Sequence, residues 1–216
     1  MPDAARARDR MVDMQIAGRG IRDPRVLQAM RVVPREAFVG DEFVEFAYED
    51  GPLPIEAGQT ISQPYIVALM IEAATLQSED RVLEVGAGSG YAAAVMSRIA
   101  KQVYGIERHA VLTDEARRRL LALGYANVEL RTGDGSRGWP EQAPFDAILV
   151  AASAPVAPEA LKEQLTIGGR LIIPLGERAG EQSLCKITRT AQSEYEEEHL
   201  GSVAFVPLIG EQGFAV

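Results

Sequence analysis

The sequence has little of what several classes of protein need. It contains one cysteine, Cys185, so no disulfide can form within the chain, as is typical of a reducing compartment. No run of about 18 or more apolar residues is present, and we expect no membrane-spanning helix. The first ten residues, MPDAARARDR, lack the apolar core of a secretory signal. The sequence therefore predicts a cytoplasmic protein.

Histidine and positive charge are also scarce. The two histidines, His109 and His199, have no other histidine or cysteine at local ligand spacing, so we expect no metal site. The formal net charge is −9, with 22 Lys and Arg against 31 Asp and Glu. Because a nucleic-acid-binding domain usually presents a basic surface, we expect no nucleic-acid partner.

What remains is a globular composition, with 47% hydrophobic residues in a chain of 216. That length suits one domain. Residues 1–78 are predicted to be mainly helical and irregular, with Asp23 as N-cap and Pro24 as the first residue of one helix. Residues 79–216 alternate short apolar segments with helical ones. We interpret the two regions as parts of the same domain.

The alternation predicts an α/β fold, a Rossmann-like, doubly wound and mostly parallel sheet. Two further strands, SLCKITRT and SVAFVPLIG, are predicted at the C-terminal end and would pair antiparallel. Between them lies an acidic run, Glu194 and Glu196–Glu198, which we interpret as a solvated turn. The Arg-rich segment 116–119 is interpreted as the solvated face of a helix.

The strongest chemical signal is the segment VLEVGAGSG, residues 82–90, between a predicted strand and a predicted helix. Glycines there allow a tight turn and a close approach of a ligand to the backbone. The following helix offers free N–H groups and the positive end of its dipole. A glycine turn that only packs a helix on a strand is the alternative. The candidate cofactor-binding residues of this segment are Glu84, Gly86, Ala87, Gly88, Ser89 and Gly90.

The spacing of these glycines favours S-adenosylmethionine over a dinucleotide. Dinucleotide sites favour G-x-G-x-x-G, whereas this loop has G-x-G-x-G. Glu107 ends the next strand, where a carboxylate can accept hydrogen bonds from two ribose hydroxyls. Glu84 suits a ligand with an ammonium group better than one with a pyrophosphate. An NAD-dependent oxidoreductase is therefore disfavoured.

A third segment, TGDGSRGWP, follows the third strand of this region. Ligands of open α/β sheets bind outside the carboxyl ends of the strands. Asp134 is thus a candidate to accept a hydrogen bond from the adenine amino group of the cofactor. An Asx turn at Asp134 is the alternative. Trp139 either walls the adenine or packs the loop.

The segment GQTISQP, residues 58–64, precedes an apolar helical run. Its local pattern makes Ser62 a candidate N-cap of that helix, with Pro64 in the first turn. No G-x-S-x-G elbow surrounds Ser62, which argues against a serine hydrolase.

Together with AYEDGPLPIEA, LTIGGRLIIPLG and FVPLIG, these motifs resemble the protein-L-isoaspartate O-methyltransferase family over residues 10–210 or so. The resemblance implies an enzyme that uses S-adenosyl-L-methionine, with S-adenosyl-L-homocysteine as product. The enzyme would methylate the free α-carboxylate of L-isoaspartyl residues in damaged proteins and peptides, which initiates repair through a succinimide. It also implies that Ser62 is the active-site serine and that Gln59, Thr60 and Ile61 touch the cofactor. Glu107 would take the ribose position, and Asp134 and Gly135 the adenine position. The chain departs from the commonest pattern at Glu56-Ala57, at Ser153 and in the C-terminal GEQGFAV.

The chemistry needs no general base, because a carboxylate with a pKa of about 3.3–4.3 is ionised at neutral pH. Ser62 is therefore interpreted as a residue that orients the acceptor. The partners expected are isoaspartyl peptides and proteins, and the protein is expected to be a monomer. The alternatives are a methyltransferase acting on a small molecule or an RNA, and a cofactor-binding module without activity.

Overall fold

The computed structural model describes residues 2–178 and 180–215 and is built around a seven-stranded sheet. Two further short strands, β1 (Leu53–Pro54) and β2 (Thr60–Ile61), pair with each other before the sheet begins. The strands of the sheet are β3 (Arg81–Val85), β4 (Gln102–Glu107), β5 (Val128–Thr132), β6 (Phe145–Val150), β7 (Leu165–Gly176), β8 (Gln182–Ala191) and β9 (Glu194–Val203).

The sheet has the order β5-β4-β3-β6-β7-β8-β9. Neighbours from β5 to β7 are parallel, whereas β8 is antiparallel to both β7 and β9. The chain passes from β3 out to β5 and then returns to the other side of β3 with β6. The fold class predicted from the sequence is therefore confirmed, including the antiparallel strands at the C-terminal end.

Six α-helices connect or precede these strands. They are α1 (Pro2–Arg10), α2 (Pro24–Val32), α3 (Pro64–Ala74), α4 (Tyr91–Ser97), α5 (Ala110–Ala122) and α6 (Glu159–Glu163). Helical turns continue α1 as far as Arg19, and short 3-10 turns fill much of the chain between α2 and β2. The helix predicted at Pro24 is confirmed, because the Asp23 side chain accepts a hydrogen bond from the N–H of Arg25.

Successive residues of the strands belong to two hydrophobic clusters, which places one cluster on each face of the sheet. In β3, Val82 belongs to the first cluster, and Leu83 belongs to the second. The first cluster includes Met30 of α2, so the N-terminal helices pack onto the sheet. The second includes Leu161 of α6. The prediction that residues 1–78 form a distinct region of one domain stays a prediction.

The prediction that the acidic run forms a turn is wrong. Glu194 and Glu196–Glu198 lie within β9, and the predicted strand 202–210 overlaps β9 only at its first two residues. β9 is the last strand of the sheet, so its exposed carboxylates face solvent while its backbone pairs with β8. Charged side chains on an edge strand discourage pairing with other chains, which explains how a charged run can be a strand.

Within residues 2–178 and 180–215, no helix has the length and apolar character needed to cross a membrane.

Candidate active site

A cavity of about 870 Å³ lies beside the carboxyl ends of β3, β4 and β6. Its wall contains residues from the glycine loop after β3, from the segment 59–63 before α3, and from the end of β9 with the chain that follows it. Open parallel sheets bind ligands at this edge, where the order of the strands reverses. The predicted site residues in the wall are Gln59, Thr60, Ile61, Ser62, Glu84, Gly86, Ala87, Gly88, Ser89, Glu107 and Gly135.

The glycine loop is anchored to the neighbouring strand. The main-chain N–H groups of Gly86 and Ala87 donate to the carbonyl oxygen of Ile106 in β4, at 2.8 and 3.2 Å. Gly88 has a φ of 51°, which an L-residue rarely adopts, and its backbone reaches the cavity wall. The sequence motif thus forms a tight turn whose backbone faces the cavity.

Gly90 is in the predicted motif but not in the cavity wall. It has a φ of 86° and precedes α4. A Cβ at this position would lie 3.2 Å from Leu120 Cδ1 and 3.3 Å from Ala116 Cβ, both in α5. The glycine is therefore required by the close packing of the loop on α5.

Glu107 ends β4 and is 5% exposed. Its Oε2 accepts a hydrogen bond of 3.0 Å from the N–H of Gly88, and its Oε1 accepts one of 2.9 Å from the N–H of His109. Each carboxylate oxygen has two lone pairs, so both can still accept a hydrogen bond from a ligand. The carboxylate is held in a fixed position in the cavity wall.

Glu84 lies in β3 and is 2% exposed. Among the described residues, its Oε2 atom has no hydrogen-bond partner. Burial raises the pKa of the Glu84 carboxyl well above its ordinary value, and the neighbouring Glu107 carboxylate raises it further. A buried acceptor without a partner is costly, so this part of the wall is suited to a ligand that brings a hydrogen-bond donor.

Asp134 is not in the cavity wall, although its neighbour Gly135 is. Its Oδ1 accepts from the N–H and the hydroxyl of Ser136, at 2.9 and 2.7 Å, and its Oδ2 accepts from the N–H of Glu211 at 2.8 Å. Burial acts to raise the pKa of Asp134, but these hydrogen bonds outweigh it and the pKa is lowered. The carboxylate thus forms the Asx turn and ties the C-terminal segment to the loop after β5.

Gly135 is required by its neighbour in β3. A Cβ at Gly135 would lie 2.4 Å from Val85 Cγ1. Trp139 packs against the same loop and is 7% exposed. Its ring meets the Tyr104 ring edge-on, with the two ring centroids 5.6 Å apart. It is not in the cavity wall, so its role here is packing.

Ser62 lies in the cavity wall, but the prediction that it caps α3 is wrong. Pro64 is the first residue of the helix, so the cap position belongs to Gln63. The Gln63 side chain makes no capping hydrogen bond. The Gln63 amide instead donates to Asp50 Oδ1 at 2.7 Å. The Ser62 hydroxyl is thus not used by the start of the helix.

Two arginines support the site and were not identified from the sequence. Arg119 Nη1 donates to the carbonyl oxygen of Ser89 at 2.9 Å, so the expectation of a solvated face is wrong for this residue. Arg19 is in the cavity wall. Its Cζ lies 3.6 Å from the centroid of the Tyr65 ring, and its Nη1 lies 3.2 Å from the Asp50 Oδ2. No motif connected either residue with the site, because both contacts join segments that are far apart in the sequence.

The end of β9 and the chain after it form a further part of the wall that the site prediction omitted. This part comprises residues 200–209. Its only sequence signal is the motif FVPLIG, which contributed to the family resemblance but was not assigned to the site. Because residues 202–210 were predicted to form a strand, they were not expected to line the cavity.

Comparisons with known proteins agree with this geometry. The sequence pattern of the family Protein-L-isoaspartate(D-aspartate) O-methyltransferase (PCMT) matches residues 6–213. The protein-L-isoaspartate O-methyltransferase of Methylorubrum extorquens (strain PA1) is 60% identical over 215 residues, which cover 100% of this chain and 93% of the relative.

Two solved structures are also similar. A protein-L-isoaspartate O-methyltransferase matches with a TM-score of 0.87 and 30% identity, over 95% of this chain and 67% of the other. A protein-L-isoaspartate O-methyltransferase from Plasmodium falciparum, in complex with S-adenosyl-L-homocysteine, matches with a TM-score of 0.81 and 28% identity, over 94% and 98%. From the extent of these matches, the chain belongs to the protein-L-isoaspartate O-methyltransferase family.

Proposed function

We propose that this protein transfers a methyl group from S-adenosylmethionine to the free α-carboxylate of L-isoaspartyl residues in damaged proteins and peptides. The methyl ester then closes to a succinimide, which initiates repair. The observation that carries the proposal is that one cavity is lined by Ser62, by the glycine loop and by Glu107. The family membership of the whole chain supports the same reaction.

The cavity wall fits the cofactor. S-adenosylmethionine supplies a methyl group on a positively charged sulfur, together with an ammonium, a carboxylate and a ribose. Glu107 would accept from the ribose hydroxyls. The N–H groups of Gly86, Ala87 and Gly88 already bond Ile106 and Glu107, so the main-chain N–H of Ser89 in the cavity wall would bind the carboxylate. The Glu84 oxygen that lacks a partner is a suitable acceptor for the ammonium group.

The remaining cofactor contacts follow from the positions of the loops. Gly135 lies in the wall beside the end of β3 and would border the adenine. Contact of Asp134 with the adenine amino group stays a prediction, since the Asp134 carboxylate also bonds Ser136 and Glu211. Gln59, Thr60 and Ile61 would cover the cofactor from the side of β2.

The acceptor arrives as an anion, so the protein must orient it and need not remove a proton. We assign this task to Ser62, whose hydroxyl can donate to one carboxylate oxygen and leave the other free to attack. Alignment of reacting groups can contribute roughly 7–11 kcal/mol to such a reaction. Ser62 thereby acts on the substrate without becoming a nucleophile or a base.

Arg19 supplies positive charge to the part of the wall near the start of α3. Its guanidinium stacks on Tyr65, three residues after Ser62, and only Nη1 of the guanidinium bonds Asp50. A guanidinium presents five N–H donors, so others are available to a carboxylate. Glu84 and Glu107 are acidic, and an entering anion therefore gains from a cation in the wall. We propose that Arg19 attracts the acceptor carboxylate.

The alternatives gain no specific support. A methyltransferase of small molecules or RNA, and a module without activity, are both less consistent with a family match over residues 6–213. Protein and peptide substrates follow from the proposed reaction. The monomeric state, the cytoplasmic location and the absence of a nucleic-acid partner stay predictions. The experiment that tests the function is transfer of labelled methyl to an isoaspartyl peptide, compared with its aspartyl twin.

A further inference from the structure

A group of metal-binding side chains lies on β8 and β9, outside the cavity. Cys185 of β8 pairs with His199 of β9 in the strand register. The adjacent residues Leu184 and Leu200 line the cavity. Successive side chains of β8 point to opposite faces, so Cys185 lies on the other face from Leu184. His199 lies on that face too, because its Nδ1 is 3.6 Å from the Cys185 Sγ, although the pairing register shifts at Leu200.

Three ligand atoms converge at this point. The Cys185 Sγ lies 3.6 Å from the His199 Nδ1. One ligand atom from each of the three residues lies within 4.8 Å of the others. The Ser183 hydroxyl is 3.0 Å from the same Nδ1 atom.

These distances suit a tetrahedral ion. Zinc binds cysteine sulfur at about 2.3 Å and histidine nitrogen at about 2.0–2.1 Å, so tetrahedral angles separate the two ligand atoms by about 3.6 Å. The distance between Sγ and Nδ1 is the same. A thiolate, an imidazole and a carboxylate are the ligand types that Zn²⁺ takes in proteins.

We propose that Cys185, Glu197 and His199 form a binding site for Zn²⁺ that joins the two last strands of the sheet. The fourth position is filled by water or by the Ser183 hydroxyl. The side chains of His199 and Glu197 are 68% and 45% exposed, so an ion reaches the buried sulfur from their side.

Binding requires the thiol to release its proton. Burial of the thiol, together with the neighbouring Glu197 carboxylate, raises the pKa of Cys185 to about 11, so the free site holds a protonated thiol. When the ion binds, the sulfur–metal bond replaces the S–H bond, and the proton passes to the solvent. No change in oxidation state is involved.

The sequence concealed this site because its ligands are not close in the chain. Cys185 and His199 are 14 residues apart, and only the pairing of β8 with β9 brings them together. The expectation of no metal site was based only on the spacing of histidine and cysteine along the chain. The ion would fasten the edge strand whose last residues, including Leu200 and Val203, line the cavity.

The test uses the metal-free full-length protein and Co²⁺ as a spectroscopic probe for the zinc site. We expect one equivalent of Co²⁺ to give thiolate charge-transfer absorption and the visible bands of a tetrahedral ion, and Zn²⁺ to displace it. C185S should abolish the charge-transfer band. H199A, a change at an exposed side chain that should not affect folding, should weaken binding by about tenfold or more.

H109A is the matched control, because it removes the other histidine and should leave metal binding unchanged. Zn²⁺ should also raise the Tm of the wild type but not of C185S or H199A. Methyl transfer by metal-free H199A should equal that of the metal-free wild type, which separates this test from that of the proposed function. Failure to bind an equivalent of Co²⁺, or unchanged spectra and affinity in C185S and H199A, would overturn the site.

Discussion

The Oε2 atom of Glu107 accepts a hydrogen bond of 3.0 Å from the main-chain N–H of Gly88. The acid at the end of β4 thus fixes the glycine loop at the end of β3. One side chain therefore both shapes the loop and presents carboxylate oxygens to the cavity. The first prediction follows from this double role.

Glu107→Gln should weaken cofactor binding by about 10- to 100-fold, the value of one or two hydrogen bonds to a charged group. The amide has one acceptor oxygen, which cannot serve Gly88, His109 and a ribose together. Calorimetric titration with S-adenosylhomocysteine measures the effect. E129Q changes an exposed glutamate of β5 and is the control. An unchanged Kd for E107Q would remove Glu107 from the proposed cofactor site.

Ser62→Ala should lower kcat/KM for an isoaspartyl peptide by about 10- to 100-fold, since one hydrogen bond to a charged acceptor is lost. Its Kd for S-adenosylhomocysteine should stay that of the wild type. Ser62→Thr keeps a hydroxyl and should retain more activity than the alanine variant. Wild-type turnover in S62A would show that Ser62 does not orient the acceptor.

Arg19→Gln should raise KM for the peptide by up to about fivefold with little change in kcat, as expected for a half-exposed charge pair. Added salt should reduce the difference between variant and wild type, because it screens the guanidinium. The control is R22Q, since Arg22 is exposed and not in the cavity wall. If R22Q and R19Q behave alike, Arg19 has no specific part in substrate binding.

Glu84→Gln should change how stability depends on pH in the ligand-free protein. The pKa of Glu84 is raised by burial, so the folded chain holds the proton more tightly than the unfolded chain does. The wild type therefore loses stability as pH rises from about 4.3, the ordinary value, through the raised pKa. A glutamine does not titrate.

Relative to the wild type, E84Q should accordingly gain stability as pH rises above the ordinary glutamate value, because only the wild type must release a buried proton. Thermal unfolding at a series of pH values measures this, and cofactor affinity should fall in the same variant. A constant difference in stability between E84Q and wild type across pH would contradict the effect.

The sequence predicted the parts of the site that depend on local patterns. The glycine loop and Glu107 line one cavity because parallel strands end at one edge of a sheet, so residues after β3 and β4 meet there, and their contact with the cofactor stays a prediction. Ser62 was reached through the family motif, while its expected capping role failed because Pro64 shifts the cap to Gln63. Local pattern cannot decide between two adjacent cap positions.

What the sequence missed depends on contacts between distant segments. Arg19 reaches the cavity through Asp50 and Tyr65, and Arg119 reaches the glycine loop through the packing of α5. The acidic β9 was taken for a turn, because the backbone pairing that stabilises an edge strand leaves no apolar pattern on its exposed side chains. The positions of Arg19, Arg119 and β9 all depend on contacts with segments that are distant in the sequence.

The central claim is tested most directly by methyl transfer to matched peptides. The full-length protein is given S-adenosylmethionine labelled in its methyl group and two peptides that differ only in an isoaspartyl or an aspartyl linkage. We predict that base-labile methyl ester forms on the isoaspartyl peptide and not on its aspartyl twin. Equal labelling of both, or no labelling by folded protein that binds S-adenosylhomocysteine, would contradict the proposed function.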